Sequence, residues 1–319
     1  MFIRIGTRAS RLALAQTKWV HDRISSQYPD IRVDVITIKT RGDRIVDKPL
    51  STIGGKALFV KEIEEALTKR EIDVAVHSLK DVPGELPDGL HIGIIPERED
   101  PHDVMISKDN IPLEDLPQGS CIGTSSLRRS AQLLHYRPGV KIVPLRGNLE
   151  TRIRKLDSAD IHAIVVAAAG LKRIGLEDTI TQSFSFDLML PAIGQGALGL
   201  ELRRDDQETR DILAFLDHYP TRVAVEAERS FLMGLKGGCQ LPVAGLARFE
   251  GGSIYLDALV ANLDGGTIFR DVVIGPPERA RELGATLADR LLDAGARKIL
   301  DDIYGKQLMH ASKGEGLER

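Results

Sequence analysis

A chain of 319 residues is long enough for two or three domains, each with its own core. With 42% hydrophobic and 28% charged residues it reads as globular throughout, and its net charge of -3 excludes a general attraction to nucleic acid or acidic membranes, so any anion site must be a local gathering of Arg and Lys. Aromatics at 4% argue against a base-stacking surface, and two distant cysteines, Cys121 and Cys239, without a C-x-x-C pair, fit a reducing cytoplasm.

Arginines interrupt the apolar residues of Met1 to Ala15, which predicts no secretion signal, and the most apolar run, Ala163 to Leu171, is too short to cross a bilayer. From Phe2 to Pro96 short apolar strands alternate with amphipathic helices, the rhythm of an α/β lobe with a largely parallel sheet. Phe2 to Ile5 is the first predicted strand. Ser10 then caps a helix whose Leu12, Ala15, Trp19 and Val20 share a face, with Pro29 beyond its end. Arg32 to Ile38 alternates as a strand, a polar loop runs from Gly42 to Thr52, and Gly54-Gly55-Lys56 leads into a helix carrying Val60, Ile63 and Leu67. Asp73 to His77 is the next predicted strand.

Pro96 and Pro101, with acidic residues between them, mark a crossing into a second α/β rhythm that runs to about Leu190, with strands at Ser120 to Gly123, Lys141 to Pro144 and His162 to Ala168. Pro191 to Leu202, with Gly194, Gly196 and Gly199, reads as a return segment rather than a new core, and its backbone freedom suits a hinge between lobes. From about Tyr219 a helix runs through Leu235, three strand-like runs are joined at Gly251-Gly252 and Gly265-Gly266, and a long helix starts at Pro277. This grammar predicts a smaller α+β domain followed by a polar, frayed tail after Gly305. The expected division is 1–96 with 197–216 as the first domain, 102–190 as the second, 219–304 as the third and 305–319 as the tail.

Three stretches carry side chains suited to chemistry. Val76 to Pro83 begins at the carboxyl end of an apolar strand, where open α/β sheets hold ligands. A carboxylate beside a lysine there stays ionised at neutral pH and stabilises a cation formed during reaction, a role that falls to Asp81. The same spacing fits a polar turn in which Lys80 and Asp81 are simply solvated. Gly123 to Arg129 sets small hydroxyl residues between a strand and a helix, so that backbone N–H groups, the helix dipole, Arg128 and Arg129 would converge on an anion. It fits equally an N-cap by Ser125 or Ser126 with two surface arginines. Arg146, Arg152, Lys172 and Arg173 extend the cationic set, and with Arg8 and Arg11 they would line one interlobe cleft for a polyanionic ligand, although each taken singly also fits a solvated charge.

The third stretch, Gly237-Gly238-Cys239-Gln240-Leu241-Pro242, places a thiol in a flexible turn after a helix, as a reactive cysteine needs; a small buried hydrophobe is the other reading. The eight histidines are scattered, with no H-x-x-x-H pair or Cys/His cluster, so no metal site is expected. Gly194-Gln195-Gly196 lacks the third glycine of a dinucleotide fingerprint and Gly54-Gly55-Lys56 lacks the preceding part of a phosphate loop, which disfavours nucleotide cofactors.

Taken jointly, these segments resemble the porphobilinogen deaminase family over nearly the whole chain, from Gly6-Thr7-Arg8 to the C-terminal domain. The resemblance implies two doubly wound α/β lobes like those of type II solute-binding proteins, plus a smaller α+β domain that carries a cofactor on a loop toward their cleft. It implies a transferase that joins four porphobilinogen molecules, with loss of ammonia, into the linear tetrapyrrole hydroxymethylbilane. The implied cofactor is a dipyrromethane built from two substrate units and held by a thioether to Cys239, with the paired glycines giving a bulky adduct access. By the same resemblance Asp81 is the catalytic carboxylate, set against pyrrole N–H groups, and Lys80, Asp81, Ser126, Arg128, Arg129 and Arg146 bind the cofactor. Arg8, Ser10, Lys56, Phe59, Arg152, Arg173 and Gln195 are implied to bind substrate, the arginines matching the acetate and propionate of each pyrrole and Phe59 stacking near the site. Thr52 stands where some relatives carry lysine, which puts one secondary basic contact in doubt. The expectation is a cytoplasmic monomer of tetrapyrrole biosynthesis, acting on a small molecule without nucleic-acid or membrane partners. A non-enzymatic two-lobed binding protein for a small anion is the alternative, although it explains neither the missing secretion signal nor Cys239. A nucleic-acid-binding regulator is opposed by net acidity and scarce aromatics.

Overall fold

The computed structural model describes residues 2–40, 60–158, 160–236 and 241–314, with side chains as far as residue 305 except at 158. Thr52, Lys56, Phe59 and the segment Gly237 to Gln240, which includes Cys239, lie outside the described residues. The chain opens with β1 (Phe2–Thr7), α1 (Arg11–Gln27), β2 (Arg32–Thr37), α2 (Lys61–Thr68), β3 (Val74–Ser78) and β4 (Leu90–Ile94). It continues through β5 (Asp103–Ser107), β6 (Cys121–Gly123), α3 (Leu127–Tyr136), β7 (Lys141–Val143), α4 (Leu149–Ser158), β8 (Ala163–Ala167), α5 (Ala168–Arg173) and β9 (Gln182–Ser183). The last part holds β10 (Leu198–Arg203), α6 (Gln207–Leu213), α7 (Tyr219–Gly234), β11 (Val243–Glu250), β12 (Ser253–Ala261), β13 (Ile268–Gly275), α8 (Ala280–Leu291) and α9 (Arg297–Gly314).

Two α/β lobes and a smaller α+β unit result. The first sheet is ordered β2-β1-β3-β10-β4 and the second β7-β6-β8-β5-β9. β1 runs parallel to β2 and β3, while β10 runs antiparallel to β3 and β4. Likewise β6 is parallel to β7 and β8, and β5 antiparallel to β8 and β9. Both sheets are therefore mixed, where a largely parallel sheet was expected for the first. A crossover helix returns the chain parallel, but β5 and β10 each enter from the other lobe and carry no such constraint. Pro191 to Leu202 also proves to be more than a return segment. Its second half, β10, is buried along its whole length and fills the inner slot between β3 and β4.

Alternate residues of the second sheet feed two cores, as strands covered on both faces must. Met105 and Val165 pack with Leu133 of α3 on one side, and Val104, Ile106, Ile164 and Val166 pack with Leu171 of α5 on the other. In the first lobe Ile3, Ile5, Val74, Val76, Leu200 and Leu202 pack against Val20 and Ile24 of α1. Each such burial contributes about 1.5–3 kcal/mol. α1 begins where predicted, with Ser10 Oγ accepting the Ala13 N–H at 3.3 Å, but its buried stripe is Gln16, Thr17, Val20 and Ile24. Trp19 is 42% exposed, its ring under the Arg23 guanidinium at 5.8 Å. A residue adjacent to Val20 is rotated about 100° from it and leaves the core face.

The third unit is the meander β11-β12-β13, whose first hairpin turns at Gly251 and Gly252 with φ of 57° and 80°, the left-handed pair a two-residue turn requires. Ile254, Leu256, Ala258 and Val260 pack on Ala227 and Phe231 of α7 and on Leu287 and Leu291 of α8. The long helix predicted from Pro277 is broken: α8 gives way to a wide turn, Leu292–Ala296, where Gly295 adopts φ 125°, before α9 resumes. Helical backbone then continues to Gly314, through the stretch expected to fray. Among the described residues no helix is long and apolar enough to cross a membrane.

Candidate active site

β3 ends at Ser78 and passes into a single tight turn, Leu79–Asp81. Leu79 is the anchor of that turn: it is buried with Val82, Ile95, Ala197 and Val225, so the backbone that carries Lys80 and Asp81 is fixed against the core. Below it, His77 Nε2 meets the buried Glu201 carboxylate at 2.8 Å, and Gln16 Nε2 donates to Ser78 Oγ at 2.8 Å. Asp81 is exposed, while Lys80 is half-buried and donates from Nζ to Gln195 Oε1 at 3.4 Å. Gln195 in turn donates from Nε2 to Asp103 Oδ1 (2.9 Å) and to the Pro101 carbonyl (2.8 Å).

Asp103, the first residue of β5, is the hub of the polar network and is wholly buried. Its Oδ2 accepts Arg128 Nη1 at 2.5 Å, and its Oδ1 accepts Arg129 Nε at 3.0 Å and Nη2 at 2.7 Å. Arg128 Nη1 also donates to the Leu190 carbonyl (2.7 Å), and Arg129 Nη1 to the Val165 carbonyl (3.0 Å). Neither arginine is a surface charge: both are buried at the start of α3, where Ser126 Oγ caps the helix by accepting the Arg129 N–H at 3.4 Å. Burial alone would raise the Asp103 pKa, but Arg128 and Arg129 outweigh it and hold the carboxyl far below the usual carboxylate range.

The two guanidiniums leave an excess of positive charge that is felt nearby. Burial first, then repulsion by Arg129 and Arg128, pushes the Lys80 ammonium down to about 8, against the attraction of Asp81 and Asp103. Arg152, whose Nε donates to the Gly147 carbonyl at 2.9 Å, is lowered by burial and by Arg129 and raised by Asp81, so it brings the second lobe's charge to the first lobe's carboxylate. Arg173 donates from Nη2 to the Gly196 carbonyl at 2.6 Å, and burial lowers it to about 10 against the pull of Glu99. Gly196 has φ 85°, and a Cβ there would collide with the Glu99 carbonyl oxygen, so the two interlobe connections touch at this point.

The structure thus gathers Lys80, Asp81, Arg128, Arg129, Arg152 and Gln195, and sets Arg173 on the connection beside them. Ser10 and Ser126 each serve as a helix cap. Arg8 and Arg146 are half-buried just beyond β1 and β7. Arg11 reaches the Ile174 carbonyl (3.0 Å) and Glu150 (3.8 Å), linking the lobes at their surface. Asp103 was missed by sequence reasoning, as was Glu228, which accepts Arg98 Nη1 (2.7 Å), the Gly194 N–H (2.6 Å) and the Ala247 N–H (2.9 Å). A signal for Asp103 existed: an acid opening the apolar run Val104 to Ile106 must be buried, and a buried carboxylate demands a cation.

Fold and charge network together define a two-lobed α/β protein with surplus positive charge at its strand ends, chemistry suited to a ligand that bears several carboxylates. Residues 3–211 match the family model described as porphobilinogen deaminase, dipyromethane cofactor binding domain, and residues 223–293 match that of the porphobilinogen deaminase C-terminal domain. The chain belongs to the porphobilinogen deaminase family, a family of transferases. The porphobilinogen deaminase of Trichlorobacter lovleyi is 50% identical over 308 residues, covering 97% of this chain and 98% of that one. That of Desulforudis audaxviator is 52% identical over 296 residues, covering 93% and 96%. Among solved structures, the methionine binding protein MetQ aligns with a TM-score of 0.43 at 17% identity, over 67% of this chain and 88% of its own.

Proposed function

We propose that this chain adds four molecules of porphobilinogen to a dipyrromethane primer held by a thioether to Cys239, losing one ammonia at each addition, and that water then cleaves the added tetrapyrrole from the primer as hydroxymethylbilane. The observation that carries the reading is the setting of Asp81, an exposed carboxylate at a strand end, in the field of Lys80 and Arg152 and beside an arginine pair that Asp103 does not fully neutralise. The residues present fit the primer: Lys80, Arg128, Arg129 and Arg152 outnumber Asp81 and Asp103, and an acetate and a propionate on each pyrrole supply the missing negative charge. Lys80, Ser126, Arg128, Arg129 and Arg146 hold those acids, with Asp81 facing the pyrrole N–H groups. When bound, the dipyrromethane supplies the nucleophilic free α-carbon of its terminal ring.

Asp81 accepts N–H hydrogen bonds from the incoming pyrrole and stabilises the positive charge left as the amine departs. A fixed charge aimed at a developing one is worth about 100- to 1000-fold in rate. Arg8, Ser10, Lys56, Phe59, Arg152, Arg173 and Gln195 receive the substrate, with the guanidiniums matched to its acids. The lobes divide as 1–96 with 197–216, and 102–190, with 219–304 bearing the primer and 305–319 as a tail, and a lengthening product requires them to move about the 96–102 and 191–197 connections. The protein works as a cytoplasmic monomer without nucleic-acid partners.

Intact-protein mass spectrometry tests the primer: wild type carries two pyrrole units and Cys239→Ser carries none. Asp81→Asn keeps fold and adduct but loses about 100-fold or more in kcat. An unmodified, fully active protein overturns the primer, and near-normal turnover by Asp81→Asn overturns the carboxylate.

A further inference from the structure

Helix α7, which leads into the segment bearing Cys239, is fastened to the stretch that follows Asp81. Val225, Arg229 and Met233 are spaced four residues apart on α7 and so lie one above another on a single face. Val225 is fully buried with Leu79 and Val82 on either side of Lys80 and Asp81. Met233 lies over Gly84, where an added methyl would sit 3.4 Å from its Cγ. Between these two, Arg229 donates from Nη1 to the Val82 carbonyl (3.2 Å) and from Nη2 to the carbonyls of Pro83 (2.5 Å) and Gly84 (3.3 Å). An apolar side chain at this position would satisfy the packing. A guanidinium that grips three successive carbonyls does more, because hydrogen bonds are directional and forbid the sliding that dispersion contacts allow.

We infer that Arg229 is a positioning residue, one that sets the register between the helix delivering the primer and the carboxylate of Asp81. The inference rests on the proposed roles of Cys239 and Asp81. The first coupling then takes place with the anchored end of the primer held at a set distance from that charge. The neighbouring Glu228 has a different task, since its carboxylate accepts from Arg98 and from the Gly194 and Ala247 N–H groups instead.

The test compares Arg229→Met, which keeps the apolar stem, and Arg229→Lys, which keeps a donor, with wild-type holoenzyme well below its unfolding midpoint. The expected result is that both retain the two-pyrrole adduct by intact mass and a KM within about twofold, while kcat falls about tenfold or more in Arg229→Met and about threefold in Arg229→Lys, whose single ammonium cannot span three carbonyls. A merely structural arginine would lower the unfolding midpoint and leave kcat alone. Adduct-bearing Arg229→Met with wild-type kcat therefore overturns the inference by itself; should that variant not fold, wild-type kcat in Arg229→Lys does so. Wild-type protein without the adduct would overturn the primer reading, and this inference with it.

Discussion

Replacing Asp103 by Ala removes the acceptor of four N–H groups at once: Arg128 Nη1, Arg129 Nε and Nη2, and Gln195 Nε2. Arg128 and Arg129 are 5% and 6% exposed, so bulk water compensates poorly for the lost carboxylate. Removing one partner of a buried ion pair costs about 3–5 kcal/mol, a large share of the roughly 5–15 kcal/mol that holds a domain folded. Asp103→Asn retains an acceptor and the shape but not the charge, and should lose less. The assay is urea unfolding of cofactor-free protein at neutral pH, repeated on holoenzyme. With Arg128 and Arg129 holding the cofactor's acids as proposed, the loss should be smaller in the loaded protein. Because the Asp103 pKa lies below its ordinary value of 3.8 in the folded protein, its contribution is present above that pH and fades as pH falls below it. An Asp103→Ala protein within about 0.5 kcal/mol of wild type would refute the view that this carboxylate organises the arginine pair.

Other outcomes follow from the same geometry. Lys80 titrates near 8 when folded and 10.5 when not, so between those pH values the unfolded chain binds more protons and cofactor-free protein gains stability as pH rises; urea midpoints for Lys80→Met should lack that gain. Glu64 is pushed up to about 7 by burial and by Glu201, against the pull of His77, so stability falls as pH rises from 4.5 to 7. Glu64→Gln should flatten that fall in thermal melts, and an unchanged slope would show that the burial of Glu64 does not matter. Gly196→Ala forces a Cβ onto the Glu99 carbonyl at φ 85°, whereas Gly119→Ala has φ 81° and open space. The strained φ costs both variants about 1–3 kcal/mol, and equal midpoints for the two would show that the contact between the connections adds nothing.

What the sequence disclosed was what short-range physics encodes. Ser10 and Ser126 sit before apolar periodicity and become caps, and paired glycines at 251–252 become a hairpin turn. The carboxyl end of β3 was legible as the place where an apolar strand gives way to a polar turn carrying Lys80 and Asp81. The union of Asp103 with Arg128 and Arg129 was not, since nothing local in either segment names a partner so far along the chain. The inward role of β10 was hidden for a similar reason: its glycine-rich approach dominates the local pattern, while its burial is decided by β3 and β4. Trp19 shows the converse, a large apolar side chain whose helical phase, not its hydrophobicity, decides its exposure.

With β10 lodged between β3 and β4, a ribosome must finish the entire second lobe before the first can close its sheet. Until then the emerging polypeptide presents unpaired edges on β3 and β4, the kind of surface that recruits other strands. Joining of segments so far apart is slow, which lengthens the exposure. Nascent chains stalled before Leu198 are accordingly the ones that should aggregate or engage chaperones, and those extended past Arg203 should be released.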